Sequence, residues 1–173
     1  MSKTEENLKA AFAGESQARN KYTYYAKVAR KEGYHYIAKI FEETADNERQ
    51  HAKEEFKLLN GIGETAANLK DAIAGEHYET TTMYPDFARD AKEEGNEEAA
   101  TLFSETGEVE AHHEVRYKKL LEMVENGTVY KRDTPIAWKC SKCGYVFEGA
   151  APPDECPSCR HELEYFEPKC MEF

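Results

Sequence analysis

The sequence predicts a mainly α protein, a four-helix bundle over residues 1–134 followed by a small β/loop metal domain over 135–173. Three observations predict it. Apolar residues recur at helical spacing through two consecutive stretches that repeat one another at an offset of 62 residues. Each stretch carries E-x-x-H, as Glu48-Arg49-Gln50-His51 and as Glu110-Ala111-His112-His113. After Arg132-Asp133-Thr134-Pro135 the helical period stops, and Gly, Pro, aromatic residues and two C-x-x-C pairs take over.

At 173 residues the chain has room for one well-buried domain with a small module attached. Charged residues make up 33% and mean hydropathy is -0.84, yet 40% hydrophobic and 12% aromatic content fits a globular protein with a charged surface. A net charge of -11 speaks against nucleic acid and anionic membrane as partners, since both select clustered Lys and Arg. No run of eighteen apolar residues occurs, and Met1-Ser2-Lys3-Thr4-Glu5-Glu6 lacks the apolar centre of a signal peptide, so a cytoplasmic location is expected. In a reducing compartment four clustered cysteines mean metal before disulfide. Cys170 is left over and is read as a tail residue without a ligand role.

The first helix is expected from Thr4 to Lys31, with Gly33 as its stop and Glu15 among its apolar positions Leu8, Phe12, Tyr22, Tyr25, Ala26 and Ala29. The second runs from about Tyr36 to Asn60, and Glu48 and His51 fall on its inward face with Ile37, Phe41, Ala45 and Phe56. Asn60-Gly61-Ile62-Gly63 ends it. The third helix is expected to begin near Leu69, and the link before it suits either a short turn or an extended crossover. The fourth begins near Asn96, after Gly95, and ends around Asn126-Gly127.

The offset of 62 pairs Tyr22 with Tyr84, Gly33 with Gly95, Phe41 with Phe103 and Leu59 with Leu121. Upstream it becomes 61, since Ala13-Gly14-Glu15 matches Ala74-Gly75-Glu76. One residue has therefore been inserted between Glu76 and Tyr84. An insertion inside a helix is usually absorbed as a π-bulge, and such bulges favour functional sites. Glu79 lies in that stretch.

Residues three apart on a helix share a face, so each E-x-x-H aims a carboxylate and an imidazole the same way. Glu15 and Glu48 lie roughly 27 and 22 Å from the Gly33 turn at about 1.5 Å per residue, which sets them at one level in a hairpin. Glu76 and Glu110 repeat this about Gly95. Glu15, Glu48, His51, Glu76, Glu79, Glu110 and His113 are thus the candidate ligands. So many inward carboxylates need cations, and a mixed oxygen and nitrogen set suits iron or manganese better than tetrahedral zinc.

Cys140-Ser141-Lys142-Cys143 and Cys156-Pro157-Ser158-Cys159 form a four-thiolate signature, either a structural zinc ribbon or a mononuclear iron centre held by all four sulfurs. Spacing alone slightly favours zinc. A compact aromatic core of Trp138, Tyr145, Phe147 and Phe166, next to a redox-capable helical site, tips the balance towards iron.

The chain resembles rubrerythrin over its length, through Ala13-Gly14-Glu15-Ser16-Gln17-Ala18, both E-x-x-H motifs, Gly75-Glu76-His77-Tyr78-Glu79 with Met83-Tyr84-Pro85, and Cys140-x-x-Cys143-Gly144-Tyr145 with Cys156-Pro157-x-Cys159. The resemblance implies a ferritin-like bundle holding two non-haem irons, a rubredoxin-like domain holding one iron on Cys140, Cys143, Cys156 and Cys159, and reduction of hydrogen peroxide to water in oxidative-stress defence. It implies that Glu48 and Glu110 bridge the irons, that Glu15, Glu76 and His113 are terminal ligands, and that His51 and Glu79 alternate on one iron. Tyr22 and Tyr84 match the family's site tyrosines. It further implies electron relay in a homodimer and a donor of the rubredoxin or rubredoxin-reductase class. Arg160 departs from the glycine common after the fourth cysteine, which puts the potential of that iron in doubt. The competing expectations are a ferritin-type ferroxidase or iron store, and a zinc-ribbon adaptor without catalysis.

Overall fold

The structure is a computed structural model that describes residues 2–169, so Cys170 lies outside the described residues. By contacts the chain divides into two compact units between Glu64 and Thr65.

The first unit is a helical hairpin, α1 (Lys3–Lys31) and α2 (His35–Leu58). Ser2, rather than Thr4, starts α1: its side chain accepts from the Glu5 N–H at 3.2 Å, with Glu5 and Glu6 in the first turn and Arg30 and Lys31 in the last, matching the helix dipole. The helix stops at Gly33, whose φ of +86° admits the left-handed turn that lets Tyr34 N–H reach Ala29 O at 2.8 Å. Ala26, Ala29 and Ala38 form the buried contact near the turn, and Ala45 and Ala52 continue it at seven-residue steps along α2. Small residues let the two backbones come close, with Phe12 and Phe56 stacked at 4.8 Å at the far end.

The second unit opens with α3 (Thr65–Tyr78), a π-helical segment (Glu79–Met83) and α4 (Tyr84–Glu93), which continue one another, followed by α5 (Glu97–Glu125). The π segment falls where the repeat carries its extra residue. The third helix begins at Thr65, four residues before the expected Leu69; it has no buried residue, so its apolar period is weak. Asn96 caps α5 by accepting from Ala99 N–H at 3.1 Å. The repeat is visible in packing: Tyr22, Tyr25 and Phe41 form a ring cluster with centroids 5.7–6.3 Å apart, and Tyr84, Phe87 and Phe103 form its counterpart at 5.5–6.4 Å. Where α2 buries Ala38, Ala45 and Ala52, α5 buries Ala100, Gly107 and Glu114 at the matching repeat positions.

Beyond α5 lies a three-stranded antiparallel sheet of order β2-β1-β3, from β1 (Ile136–Cys140), β2 (Val146–Gly149) and β3 (Phe166–Pro168). Its core is Trp138, Cys140, Cys156 and Phe166, packed by Tyr145 and Phe147, the aromatic set expected from sequence. Trp138 satisfies its indole by donating to Gly149 O at 3.0 Å. Arg132 ties the end of α5 to this sheet, donating to Thr128 O and Lys131 O at 2.7 Å while its guanidinium lies 5.2 Å over the Trp138 ring. Among the described residues no helix is long and apolar enough to cross a membrane.

Candidate metal centres

In the α1–α2 hairpin Glu15, Glu48 and His51 come together with ligand atoms all within 4.8 Å of one another. His51 Nδ1 lies 2.8 Å from Glu48 and 4.0 Å from Glu15. The second unit builds the same triplet from α3 and α5: Glu76, Glu110 and His113, with His113 Nδ1 2.6 Å from Glu110 and 3.6 Å from Glu76. Neighbouring ligands on one ion at about 2.0–2.2 Å stand about 3 Å apart, so both triplets have the spacing of cation ligands. Their exposure differs. His51 is 59% exposed and His113 35%, so two identical motifs are held with unequal freedom.

The carboxylates show why a cation belongs here. Burial, and then the charge of Glu48, holds the Glu15 carboxyl above the usual carboxylate range. Burial and Glu110 do the same to Glu76. Paired carboxylates in a half-buried site cannot both stay ionised cheaply, and bound cations remove that conflict.

Glu79, half-buried in the π segment, is outside the tight triplet, although its charge contributes to raising both Glu76 and Tyr84. The Tyr84 hydroxyl is pushed up by burial first and then by Glu79, Glu110 and Glu76, so it keeps its proton and can donate to these carboxylates. Tyr22 packs with Tyr25 and Phe41 in the first unit.

Two groups escaped the sequence reading. Glu114, the one buried charged residue among those described, lies 3.1 Å from His77 Nδ1 and 2.5 Å from Lys118 Nζ. The signal was present: the repeat aligns Glu114 with Ala52, a carboxylate in a core position. Glu55, one turn past His51, adds charge beside Glu15, and its Oε2 is shut from solvent without a hydrogen-bond partner among the described residues.

The four sulfurs of the sheet domain form a third cluster. Cys140 and Cys159 stand 3.7 Å apart, as do Cys143 and Cys156. That is far beyond a disulfide bond of about 2.05 Å. It matches the edge of about 3.8 Å of a tetrahedron with metal–sulfur bonds of about 2.3 Å. The two C-x-x-C turns are built alike: Gly144 N–H donates to Cys140 O at 2.9 Å and Arg160 N–H to Cys156 O at 2.8 Å, while the Cys140 and Cys156 N–H groups donate to Tyr145 O and His161 O, both at 2.8 Å. Arg160 makes this possible by adopting φ +59°, the left-handed conformation that Gly144 takes at +79°. The side chain therefore leaves the backbone turn intact. Without a cation the thiols divide unequally. The Tyr145 N–H bond draws Cys143 down to about 6, whereas at Cys159 the His161 N–H bond is outweighed by burial and the three other sulfurs, which push it up to about 12.

Residues 6–121 match the family model for rubrerythrin, and residues 138–167 match that for the rubredoxin-like domain of rubrerythrin. The chain is 50% identical to a rubrerythrin of Porphyromonas gingivalis, over 96% of this chain and 90% of that protein. It is 48% identical to rubrerythrin-1 of Clostridium acetobutylicum, over 95% and 93%, and 46% identical to a rubrerythrin of Nitratidesulfovibrio vulgaris, over 96% and 94%. The two carboxylate–histidine triplets and the four-cysteine cluster fit a di-iron site and a single iron held by four thiolates.

Proposed function

The chain belongs to the rubrerythrin family, and from that premise we propose that it reduces hydrogen peroxide to water at a non-haem di-iron centre fed by its four-cysteine iron. Membership carries oxidoreductase chemistry and the two kinds of iron site; the peroxide substrate is our reading. The observation that supports it best is the π segment at Glu79–Met83, which breaks the repeat beside one carboxylate–histidine triplet and sets a further carboxylate, Glu79, in irregular helix, where the other triplet's Glu55 stands in regular α-helix.

We assign residues 1–134 to the di-iron domain and 135–173 to the rubredoxin-like domain. Glu15, Glu48, His51, Glu76, Glu79, Glu110 and His113 would hold the two irons, with Glu48 and Glu110 shared between them, Glu15, Glu76 and His113 as fixed ligands and His51 and Glu79 as alternates. Two ferrous ions bound there would supply the two electrons that, with two protons, turn hydrogen peroxide into two waters. The protein's own part is to hold ligands and protons. Tyr84 keeps its hydroxyl proton within the field of Glu79, Glu110 and Glu76 and would share it with them, and Tyr22 would take the matching role by repeat position. Glu79 lies in a segment whose helical hydrogen bonding is already altered, so less regular helix has to be broken to move it. The physiological setting we propose is a cytoplasmic homodimer reduced by a rubredoxin or an enzyme of the rubredoxin-reductase class, without nucleic acid or membrane as partner.

The test is metal analysis and a visible spectrum of anaerobically purified protein, followed by peroxide consumption with reoxidation of the four-cysteine iron. Glu79→Ala is expected to slow peroxide turnover by about one to two orders of magnitude, as is typical for loss of a group supporting a metal, with the spectrum of the thiolate-bound iron unchanged. Unchanged turnover would remove Glu79 from the mechanism. Zinc at the cysteines, or oxygen-driven oxidation of excess ferrous iron without peroxide turnover, would overturn the reading itself.

A further inference from the structure

The internal repeat supplies its own control. At offsets of 61 and 62, His77, Glu114 and Lys118 stand where the first hairpin has Ser16, Ala52 and Phe56. His77 follows the ligand Glu76 in the chain, and Glu114 follows the ligand His113.

In the second unit these three residues meet. Glu114 Oε1 lies 3.1 Å from His77 Nδ1 and 2.5 Å from Lys118 Nζ, and Glu114 is buried in the seam that α5 otherwise lines with Ala100 and Gly107. A carboxylate only accepts, so His77 and Lys118 both donate to it, and the His77 bond joins α3 to α5. With an ammonium already on that oxygen, the group is a bridge and not a further cation site. A buried carboxylate is costly unless paired, and in α2 alanine fills the same place in the seam, so packing alone gives no reason for a glutamate.

The first hairpin is held differently near this level, by the Phe12–Phe56 stack at 4.8 Å. Apolar packing is non-directional and leaves helices some freedom to slide. A hydrogen bond needs its donor and acceptor at one distance and angle, and so fixes register. The triplets differ in the same sense. His113 Nδ1 is 2.6 Å from Glu110 and 3.6 Å from Glu76, where His51 Nδ1 is 2.8 Å from Glu48 and 4.0 Å from Glu15. Glu76 is 17% exposed and Glu15 31%. The bridged triplet is the closer and the more enclosed. The bridge also sits just before the irregular helix, since α3 ends at Tyr78. Glu76 is therefore anchored although Glu79, three residues on, lies in the π segment.

We propose that Glu114, acting through His77, is a positioning residue that fixes Glu76 and His113 before an ion arrives, making Glu76–Glu110–His113 the tighter triplet and the first to load. This rests on reading both triplets as metal ligands. Ligands ordered in advance bind more tightly because their freedom is not lost at the moment of binding.

The test measures manganous ion binding to the full chain, with one equivalent of zinc at the cysteines, through the EPR signal of free Mn(II). The parent is expected to bind two ions per chain with unequal affinity. A His51→Ala background leaves the bridged triplet whole, and there Glu114→Ala should weaken the remaining ion about tenfold or more, as loss of an outer partner typically does. A His113→Ala background leaves the other triplet whole, and there Glu114→Ala should change nothing. Alanine is what the first hairpin carries at this place, so the chain should fold. His77→Ser, also copied from the repeat, breaks the bridge from its exposed end and should act the same way. Glu114→Gln, whose amide oxygen still accepts from His77, should fall between. Equal losses in both backgrounds would make Glu114 a general prop of the fold and overturn the proposal. So would no loss in either, or tighter binding by the His113→Ala chain than by the His51→Ala chain. A parent that binds no ion at the helices overturns it together with the ligand reading. Glu114-dependent, unequal loading in a chain that turns over no peroxide upholds it and removes only the peroxidase reading.

Discussion

His77 Nδ1 lies 3.1 Å from Glu114 Oε1, tying α3 to α5 between neighbours Glu76 and His113, which belong to one carboxylate–histidine triplet. Lys118 binds the same oxygen, and its hydrogen bond, ahead of the His77 charge, holds the Glu114 carboxyl below its ordinary value of 4.5. A carboxyl lowered in the folded state contributes stability above the unfolded value and loses it as pH falls through the folded one. The expected outcome is that Glu114→Gln flattens the acid limb of stability below about pH 4.5, measured by denaturant midpoints across pH. A variant whose acid limb matches the parent would show that the contact carries no linkage.

Glu15 and Glu76 run the other way. Both are raised in the folded chain, by burial and then by Glu48 and Glu110 respectively, so their ionisation penalises folding as pH rises from 4.5 through the raised values. Metal-free protein should therefore be less thermostable near neutral pH than its metal-loaded form, with the gap narrowing as pH falls through the raised values, where protons replace cations. Melting curves with chelator and with added ferrous or manganous ion check this. A gap that does not change with pH would assign the effect to something other than these carboxylates.

The π segment can be tested by subtraction. Deleting Thr82 brings the repeat to a single offset of 61 throughout and should return Glu79–Met83 to an ordinary α-helix. Helix content and melting temperature are expected to hold or rise, while peroxide turnover falls at least as far as in Glu79→Ala. Full turnover in the deletion chain would mean that the bulge is a packing accident.

Gly144 and Arg160 make a reciprocal pair, at φ +79° and +59° in equivalent turns. Gly144→Ala should cost about 1–2 kcal/mol and Arg160→Gly should gain about 1 kcal/mol, because only glycine enters the left-handed region freely. Chemical denaturation of metal-loaded protein reads both. Equal stability for Arg160→Gly would show that the side chain offsets its own strain.

Much of this was legible beforehand because it depends on local spacing. Three-residue spacing puts Glu48 with His51 and Glu110 with His113 on any α-helix, and similar distances from Gly33 bring Glu15 near the level of Glu48. The extra residue before Tyr84 foretold the π segment, since a helix has few other ways to absorb it. The start of α3 was missed because no residue of that helix is fully buried, and its half-buried side begins with the small Ala66, which marks an apolar period only faintly before Leu69.

The amino-acid order by itself determined the hairpins, the two carboxylate–histidine triplets and the four-sulfur cluster, each fixed by spacing within or across one turn. Tertiary structure alone decided three other matters. It placed Glu114 against His77, although no period in either helix encodes the contact that joins α3 to α5; only the Lys118 partner, four residues on, follows from local spacing. It showed that Arg160, where glycine is common, takes a glycine conformation and so makes the same turn as Gly144. It also left Cys143 and Cys159 open while burying Cys140 and Cys156, because the Trp138 and Phe166 core covers only one side of the cluster. Burial and backbone conformation depend on neighbours distant in sequence, and spacing along the chain does not contain them.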